Sequence, residues 1–252
     1  NKQYKIRIIY QNDNDRTGEK WHRHIVQEHL KDFDVEFNSM PVEFFGREGW
    51  VCQQLLKWHL AYTSTADWQV VLDSKNFYIH PFDIDRFDRI PGFAIPPGDL
   101  DDWSNKELDK SIEFLKSKNV QRYAAMTPWI WKTAEVRDLL DKTWPNMSWN
   151  SLNELPGTEW FLYLANLEDR IKYYPAQIVS GIWGVENSNV MPNPTRSNIR
   201  FWTHHRFART EKSISATEQV LKKFNIANED EIKEWKYYLD PETAVFIKTF
   251  PD

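Results

Sequence analysis

Apolar positions along the chain switch between two periods, and the switches mark out alternating strands and helices. Lys5–Tyr10 (KIRIIY) is a short β-rich run that stops at the polar cluster Gln11–Arg16. Trp21–Leu30 is expected to be helical, with Val35–Ser39 as the next strand. Beyond Gly49, the residues Val51, Leu55, Trp58 and Tyr62 recur at spacings of four, three and four. That is one face of a 3.6-residue helix. Gln53 and Lys57 fall together on a different face.

Trp68–Leu72 (WQVVL) is a continuous apolar run, which predicts a strand covered on both sides. It breaks at Asp73-Ser74-Lys75-Asn76, and Phe77–Ile79 resumes as a strand. Pro91, Pro96 and Pro97 mark an irregular connection, and acidic Asp99–Asp102 leads into a further helix. There Ser104 and Glu107 have the spacing of a capping box, and Leu108, Ile112 and Leu115 form the apolar stripe.

Arg122–Met126 reads as a strand and Thr133–Thr143 as a helix ended by Pro145. Glu159–Arg170 is expected to be helical with Trp160, Leu164 and Leu167 inward. Val185–Arg200, with Pro192 and Pro194, reads as a long loop, and Phe201–His205 as a strand. Ser215 with Glu218, and Asn228 with Glu231, are expected to start two last helices. No internal repeat is visible. The alternation predicts an α/β fold with a mainly parallel central sheet and helices on both faces. A single domain over residues 1–252 is expected, with 201–252 a helical extension packed on it.

Composition narrows the function. A net charge of −5 argues against a general nucleic-acid partner, which needs a basic surface to displace phosphate counterions. No stretch approaches the roughly 18–20 consecutive apolar residues of a membrane span. One cysteine, Cys52, excludes an intrachain disulfide and points to a cytoplasmic setting. The sequence opens on Asn1 without a signal-peptide pattern, and a missing N-terminal piece is the expectation. The 13 tryptophans either fill the core or offer flat faces to sugar rings.

The block Gly49–Pro81 (GWVCQQLLKWHLAYTSTADWQVVLDSKNFYIHP) resembles a group of bacterial and phage glycosyltransferase-like proteins with the GT-A fold. Their pattern is Gly-aromatic, Gln-Gln and a following Lys on a helix, then an apolar strand ending in Asp-Ser-Asp. Gly49, Trp50, Gln53, Gln54, Lys57 and Asp73-Ser74 match it. Met126-Thr127-Pro128 and Thr158-Glu159-Trp160 with Tyr163 are similar to two later segments of the group. The resemblance implies a nucleotide-diphospho-sugar donor, an unknown glycan or other acceptor, and Mn²⁺ or Mg²⁺ on the strand-end carboxylates. It also implies an extra strand and helix ahead of Lys5–Asp15, for which this chain has four residues.

Asp73 sits where open α/β sheets place their ligand crevice, at a strand's carboxyl end. The expected second aspartate is Lys75, so the Asp-x-Asp motif is degenerate. Lys75 then either brings its own cation to the diphosphate, with Ser74 and Asn76 orienting the donor, or Asp73 holds metal through water, or catalysis has been lost. Glu159 is either a helix-capping carboxylate or the base that activates the acceptor. Trp50, Gln53, Gln54 and Lys57 are either surface residues of an amphipathic helix or donor contacts. His204-His205 offers one ring to a metal or diphosphate, since adjacent side chains on a strand point to opposite faces. Arg200, Arg206 and Arg209 suit a diphosphate or a solvated surface equally. His22, His24 and His29 read as solvated.

Three functions follow: a glycosyltransferase, a non-catalytic descendant that binds a nucleotide sugar or glycan, and a hydrolase using Asp73 and Glu159. Lys75 beside Asp73 would favour the ionised carboxylate, which suits a general acid poorly.

Overall fold

The structure, a computed structural model, describes residues 5–10, 34–39, 49–72, 76–78, 100–122, 129–144, 156–170, 179–182, 201–204 and 210–239. The elements in order are β1 (Lys5–Tyr10), β2 (Asp34–Ser39), α1 (Gly49–Thr63), β3 (Trp68–Val71), β4 (Asn76–Tyr78), α2 (Asp102–Leu115) and β5 (Trp129–Lys132). They continue as α3 (Thr133–Thr143), α4 (Glu159–Leu167) with a 3₁₀ turn at Glu168–Arg170, β6 (Val179–Ile182), β7 (Phe201–His204), α5 (Glu211–Lys223) and α6 (Glu229–Leu239). The expected helix at Trp21–Leu30, the strand at Arg122–Met126 and the loop at Val185–Arg200 fall wholly or mainly outside the described residues.

The class is mixed helix and strand, as the alternating periods predict, but the sheet arrangement differs from expectation. The described strands form three small sheets, β1-β2, β3-β5 and β4-β7-β6, and not one central sheet. β1 and β2 are parallel over their full length, as are β6 and β7, whereas β4 pairs antiparallel with β7. Alternation of strand and helix predicts crossovers, but it does not fix the direction in which a three-residue strand joins an edge. β3 departs from expectation too. Its four residues are only half-buried and Leu72 is 52% exposed, because β5 is its sole neighbour among the described strands.

The chain divides into two compact units. The first comprises Asn1–Gln69, Asn105–Val120 and Lys132–Glu168. Its core is a helical one: α1 packs on α3 and α4, and α3 packs on α4. Leu55, Trp58, Ala61, Val136, Leu139, Leu140 and most of α4 are buried. A helix of nine residues is too short to hold itself in water, where about 12–15 residues are marginal. α4 is stable because it is buried on every side. Trp160 through Ala165 are all within 1% of full burial, so the inward stripe of Trp160, Leu164 and Leu167 is only part of its contact surface.

The carboxyl end of α1 is held by side chains from three other segments. Leu60 O accepts from Arg7 Nη1 at 2.8 Å, Ala61 O from Gln69 Nε2 at 3.2 Å and Tyr62 O from Arg137 Nε at 2.9 Å. Arg137 Nη2 also donates to Ser64 O. These carbonyls have no partner inside the helix, and two guanidinium groups oppose the negative end of the helix dipole. α1 lacks basic residues in its own last turn, so the cations come from β1 and α3.

Gly157 fixes the entry to α4. Its φ is +107°, and a Cβ built there would lie 2.1 Å from Ser111 Oγ and 2.7 Å from the Glu107 carbonyl oxygen. Ser111 Oγ bridges to Glu107 O at 2.9 Å and Pro156 O at 3.1 Å, closing α2 against this turn.

The second unit comprises Val70–Ser104, Gln121–Trp131 and Asp169–Asp252. Here β7 is the middle strand of its sheet, α5 packs on β6, and α6 packs on α5. Trp202, Ala216 and Val220 form a buried cluster, with Phe224 and Ile226 against it. Among the described residues of 201–252, β7 is therefore a sheet strand, and the helical part is α5 and α6.

Three helix starts differ in how their first amides are capped. Asn228 and Glu231 form the expected box: Asn228 Oδ1 accepts from the amides of Asp230 and Glu231 at 2.9 and 3.0 Å, and Glu231 Oε2 accepts from Asn228 N at 2.7 Å. α5 instead starts at Glu211, four residues before Ser215, capped by Thr210, whose Oγ1 accepts from Ser213 N at 3.2 Å. α2 is capped by Asp101, which accepts from Ser104 N at 2.6 Å, while Glu107 pairs with Lys110 at 2.5 Å. In both cases the helix begins further upstream, at a different capping oxygen.

Candidate functional site

Two of the segments that carry the sequence resemblance meet in the first unit. Gln54 and Lys57 lie three residues apart on α1 and are neighbours on one flank of it. Glu159 is the first residue of α4. Lys57 Nζ is 2.9 Å from Glu159 Oε1, and Gln54 Oε1 accepts from the Glu159 backbone amide at 3.0 Å. The side chains of Lys57 and Glu159 are 13% and 5% exposed, and Gln54 is 2% exposed.

This geometry decides how Glu159 is used. The cap of α4 is Thr158, whose Oγ1 accepts from Phe161 N at 3.2 Å. The Glu159 carboxylate is therefore not the capping group; it is turned toward Lys57 in a nearly dry setting. An ionised carboxylate there requires a counter-charge and hydrogen bonds, and Lys57 supplies both. Gln54 fixes the backbone from which Glu159 projects. Its own amide nitrogen, Nε2, is buried with no hydrogen-bond acceptor.

Tyr163, one turn further along α4, joins a different set. Its hydroxyl accepts from Lys132 N at 3.0 Å and donates to Glu135 Oε2 at 3.1 Å. A cavity of about 250 Å³ also lies in this unit, between Thr65–Trp68 and Lys132–Thr133, with Arg137 at its wall. Lys132 Nζ stands 5.9 Å from the centroid of the Trp68 ring there. None of the residues expected to carry function lines it.

In the second unit, Asn76 begins β4 and pairs with Thr203 on β7, the residue before His204. His204 is 3% exposed. Its Nδ1 lies 2.8 Å from Thr217 Oγ1, which also accepts from Trp202 Nε1 at 2.9 Å. Trp235 meets the imidazole edge-on, with centroids 5.1 Å apart.

Asp73, Ser74, Lys75, His205, Arg206 and Arg209 lie outside the described residues, as does Met126-Thr127-Pro128. Trp50 and Asn76 are described in their backbones alone, and Gln53 is exposed. Among the described residues, no group of three or more His, Cys, Asp or Glu side chains could hold a metal ion. Asp73 aside, the residue expected as a metal ligand is His204, and its Nδ1 is engaged by Thr217. Of the tryptophans, Trp58, Trp131, Trp160 and Trp202 are fully buried, while Trp103 is 53% exposed.

The sequence pointed to Gln54, Lys57 and Glu159 separately and missed that Gln54 belongs inside. Glu159 carried a readable signal: it opens an otherwise apolar segment, Trp160–Ala165, so a buried partner for it was required.

No helix among the described residues is long and apolar enough to cross a membrane. Comparison with family models, with curated proteins and with solved structures gives no match.

Proposed function

We propose that the chain is a GT-A-type glycosyltransferase that moves a sugar from a nucleotide-diphosphate donor to a hydroxyl acceptor. The observation that carries this reading is the buried Lys57–Glu159 pair with Gln54 on the Glu159 amide, which unites Gln-Gln-x-x-Lys with Thr-Glu-Trp across more than a hundred residues. A buried, compensated carboxylate at a helix start has the character of an acceptor-activating base. Glu159 takes the acceptor proton as the acceptor oxygen bonds to the sugar carbon and the bond to the diphosphate oxygen breaks.

The leaving diphosphate gathers negative charge and needs a cation. Lys75, in the Asp73–Asn76 segment, is the candidate for that role, with Ser74 and Asn76 orienting the donor. Mn²⁺ or Mg²⁺ on Asp73 is the alternative source of that charge. No step is assigned to it.

The test is nucleoside-diphosphate release over a panel of nucleotide sugars, with wild type and Glu159→Gln. Release by wild type, reduced about 10²–10⁴-fold in the variant while donor binding persists, is the expected result. Donor binding without release would make the chain a non-catalytic descendant, the reading that Lys75 favours. Hydrolysis of glycosides without nucleotide would make it a hydrolase.

A further inference from the structure

The cavity of about 250 Å³ in the first unit is lined by none of the residues assigned to sugar transfer. Its walls are set by bonds between the segment after α1 and the start of α3. Arg137 donates to Tyr62 O and Ser64 O, Thr133 N donates to Asp67 O at 2.9 Å, and Thr133 Oγ1 donates to Ala66 O. The cavity is therefore preformed. Thr65, Asp67 and Lys132 in its lining are exposed, so it is reached directly from solvent. At about 250 Å³ it is smaller than the roughly 300–1,000 Å³ of sites for drug-sized ligands, which points to a single ring and not an extended molecule.

Three side chains give the cavity its chemical character. Trp68 supplies indole surface. Lys132 Nζ stands over that ring at 5.9 Å from its centroid, the outer limit of a cation–π contact, and so is weakly held. Asp67 and Lys132 carry opposite charges, yet neither belongs to an ion pair among the described residues. An ionised carboxylate only accepts hydrogen bonds and an ammonium only donates them. Together they match hydroxyls, which do both, on a ligand whose C–H face can lie against an indole. A simple anion would gain from Lys132 but meet Asp67. A small zwitterion would pair with both, but exposed ion pairs add little in water and it has no flat apolar face for Trp68.

We propose that this cavity binds one neutral pyranose ring of a glycan, with Trp68 as the platform, Asp67 as the acceptor and Lys132 as the donor. The site goes beyond the transferase reading and does not depend on it, since it is built from other residues than the Lys57–Glu159 pair. Lys132 moves off the indole on its flexible stem to meet a ring hydroxyl. Arg137, tied to two backbone carbonyls, holds the wall.

The experiment is ¹H–¹⁵N spectroscopy of the full chain with ¹⁵N-labelled tryptophan, the Trp68 indole signal being assigned by its loss in Trp68→Phe. The probes are a panel of methyl hexopyranosides, alanine and inorganic phosphate. A saturable shift of the Trp68 indole with one or more glycosides, and with neither other probe, is expected. Glycoside binding by calorimetry should weaken at least tenfold in Trp68→Ala and about tenfold in Lys132→Met and in Asp67→Ala, the worth of one hydrogen bond each. If Trp68→Ala does not fold, the two variants at the exposed Asp67 and Lys132 decide the matter. Binding should be unchanged in Glu159→Gln. No shift with any glycoside, an equal shift with alanine or phosphate, or full affinity in both Lys132→Met and Asp67→Ala overturns the proposal. Binding lost in Glu159→Gln but kept in Lys132→Met and Asp67→Ala also overturns it, by placing the sugar at the Lys57–Glu159 pair. Nucleotide release by a chain whose Trp68 signal no glycoside moves overturns this site and leaves the transferase. A saturable Trp68 shift in a chain that releases no nucleotide supports the site and removes the transferase.

Discussion

Lys57 and Glu159 are 102 residues apart in sequence and 2.9 Å apart in the fold, in an ion pair that solvent barely reaches. Two charges so placed have given up most of their hydration, and each depends on the other. Lys57→Met and Glu159→Leu should each destabilise the chain by about 3–5 kcal/mol, because each removes a buried counter-charge. The double variant should cost far less than the sum. Urea unfolding of the four proteins measures this, and additive single effects would show that the pair is not coupled.

The same pair depends on the turn that launches α4. Gly157→Ala must accept a φ of +107° and push against a backbone carbonyl, not merely against a movable side chain. A loss of about 1–3 kcal/mol is expected from the backbone strain alone. Adding Ser111→Gly should recover only part of it, since the Glu107 carbonyl remains in the way. Full recovery in the double variant would place the whole cost on the Ser111 hydroxyl and refute the strain argument.

These residues also show what a sequence can disclose here. Thr133–Thr143 is bounded as its period predicts, because its stripe of Val136, Leu139 and Leu140 is the surface it buries. α1 was legible as a helix, yet Gln54 was not legible as buried. The stripe of Val51, Leu55, Trp58 and Tyr62 identifies one face, whereas α1 packs on both α3 and α4 and so buries a wider arc. Glu159 looked like a cap because it opens a helix, but Thr158 reaches the free amide first. The pairing of Lys57 with Glu159 depends on tertiary packing, which no local period encodes. The sheets were the least legible part. Run lengths predict strands, but they do not encode the antiparallel register in which β4 meets β7.

In the second unit, Thr217 serves two buried rings with one hydroxyl. Thr217→Val keeps the shape and removes that hydroxyl, leaving the indole of Trp202 without this acceptor. A cost of about 1–3 kcal/mol is expected, and Thr217→Ser should restore most of it. Thermal or urea unfolding is the measurement. An isosteric Val variant as stable as wild type would mean the hydroxyl contributes no net stability.

Stability on the acid side should carry a signature of Glu218. Lys236 and then Lys222 hold its carboxyl below the ordinary glutamate range through direct bonds to its two oxygens. A folded-state value below the unfolded one gives stability that is present above the unfolded value and lost as pH falls through the folded one. The pair lies at the surface, so the effect should stay below about 1 kcal/mol and shrink in salt. The difference in urea midpoint between wild type and Glu218→Gln should be largest near neutrality and close as the pH drops below about 4. A gap that widens in acid would reverse the sign and reject the assignment.

On the proposed transferase reading, Lys75 stands where a second aspartate would be expected. Exchanging Asp for Lys changes the local charge by two units. The segment passes from one that requires a cation to one that supplies its own. A divalent ion beside a protonated lysine is repelled, and a lysine amine cannot ligate a hard metal until it loses its proton. The flexible stem of Lys75 can swing aside and weaken that repulsion, but ordering it away from the site has its own cost. Nucleoside-diphosphate binding should therefore depend only weakly on Mn²⁺ in the wild type, and Lys75→Asp should make it strongly dependent. Calorimetry with Mn²⁺ and with chelator, on both proteins, measures the contrast. Strong metal dependence in the wild type would show that Asp73 retains the metal despite Lys75. Binding that is metal-independent in both proteins would show that position 75 does not face the diphosphate at all.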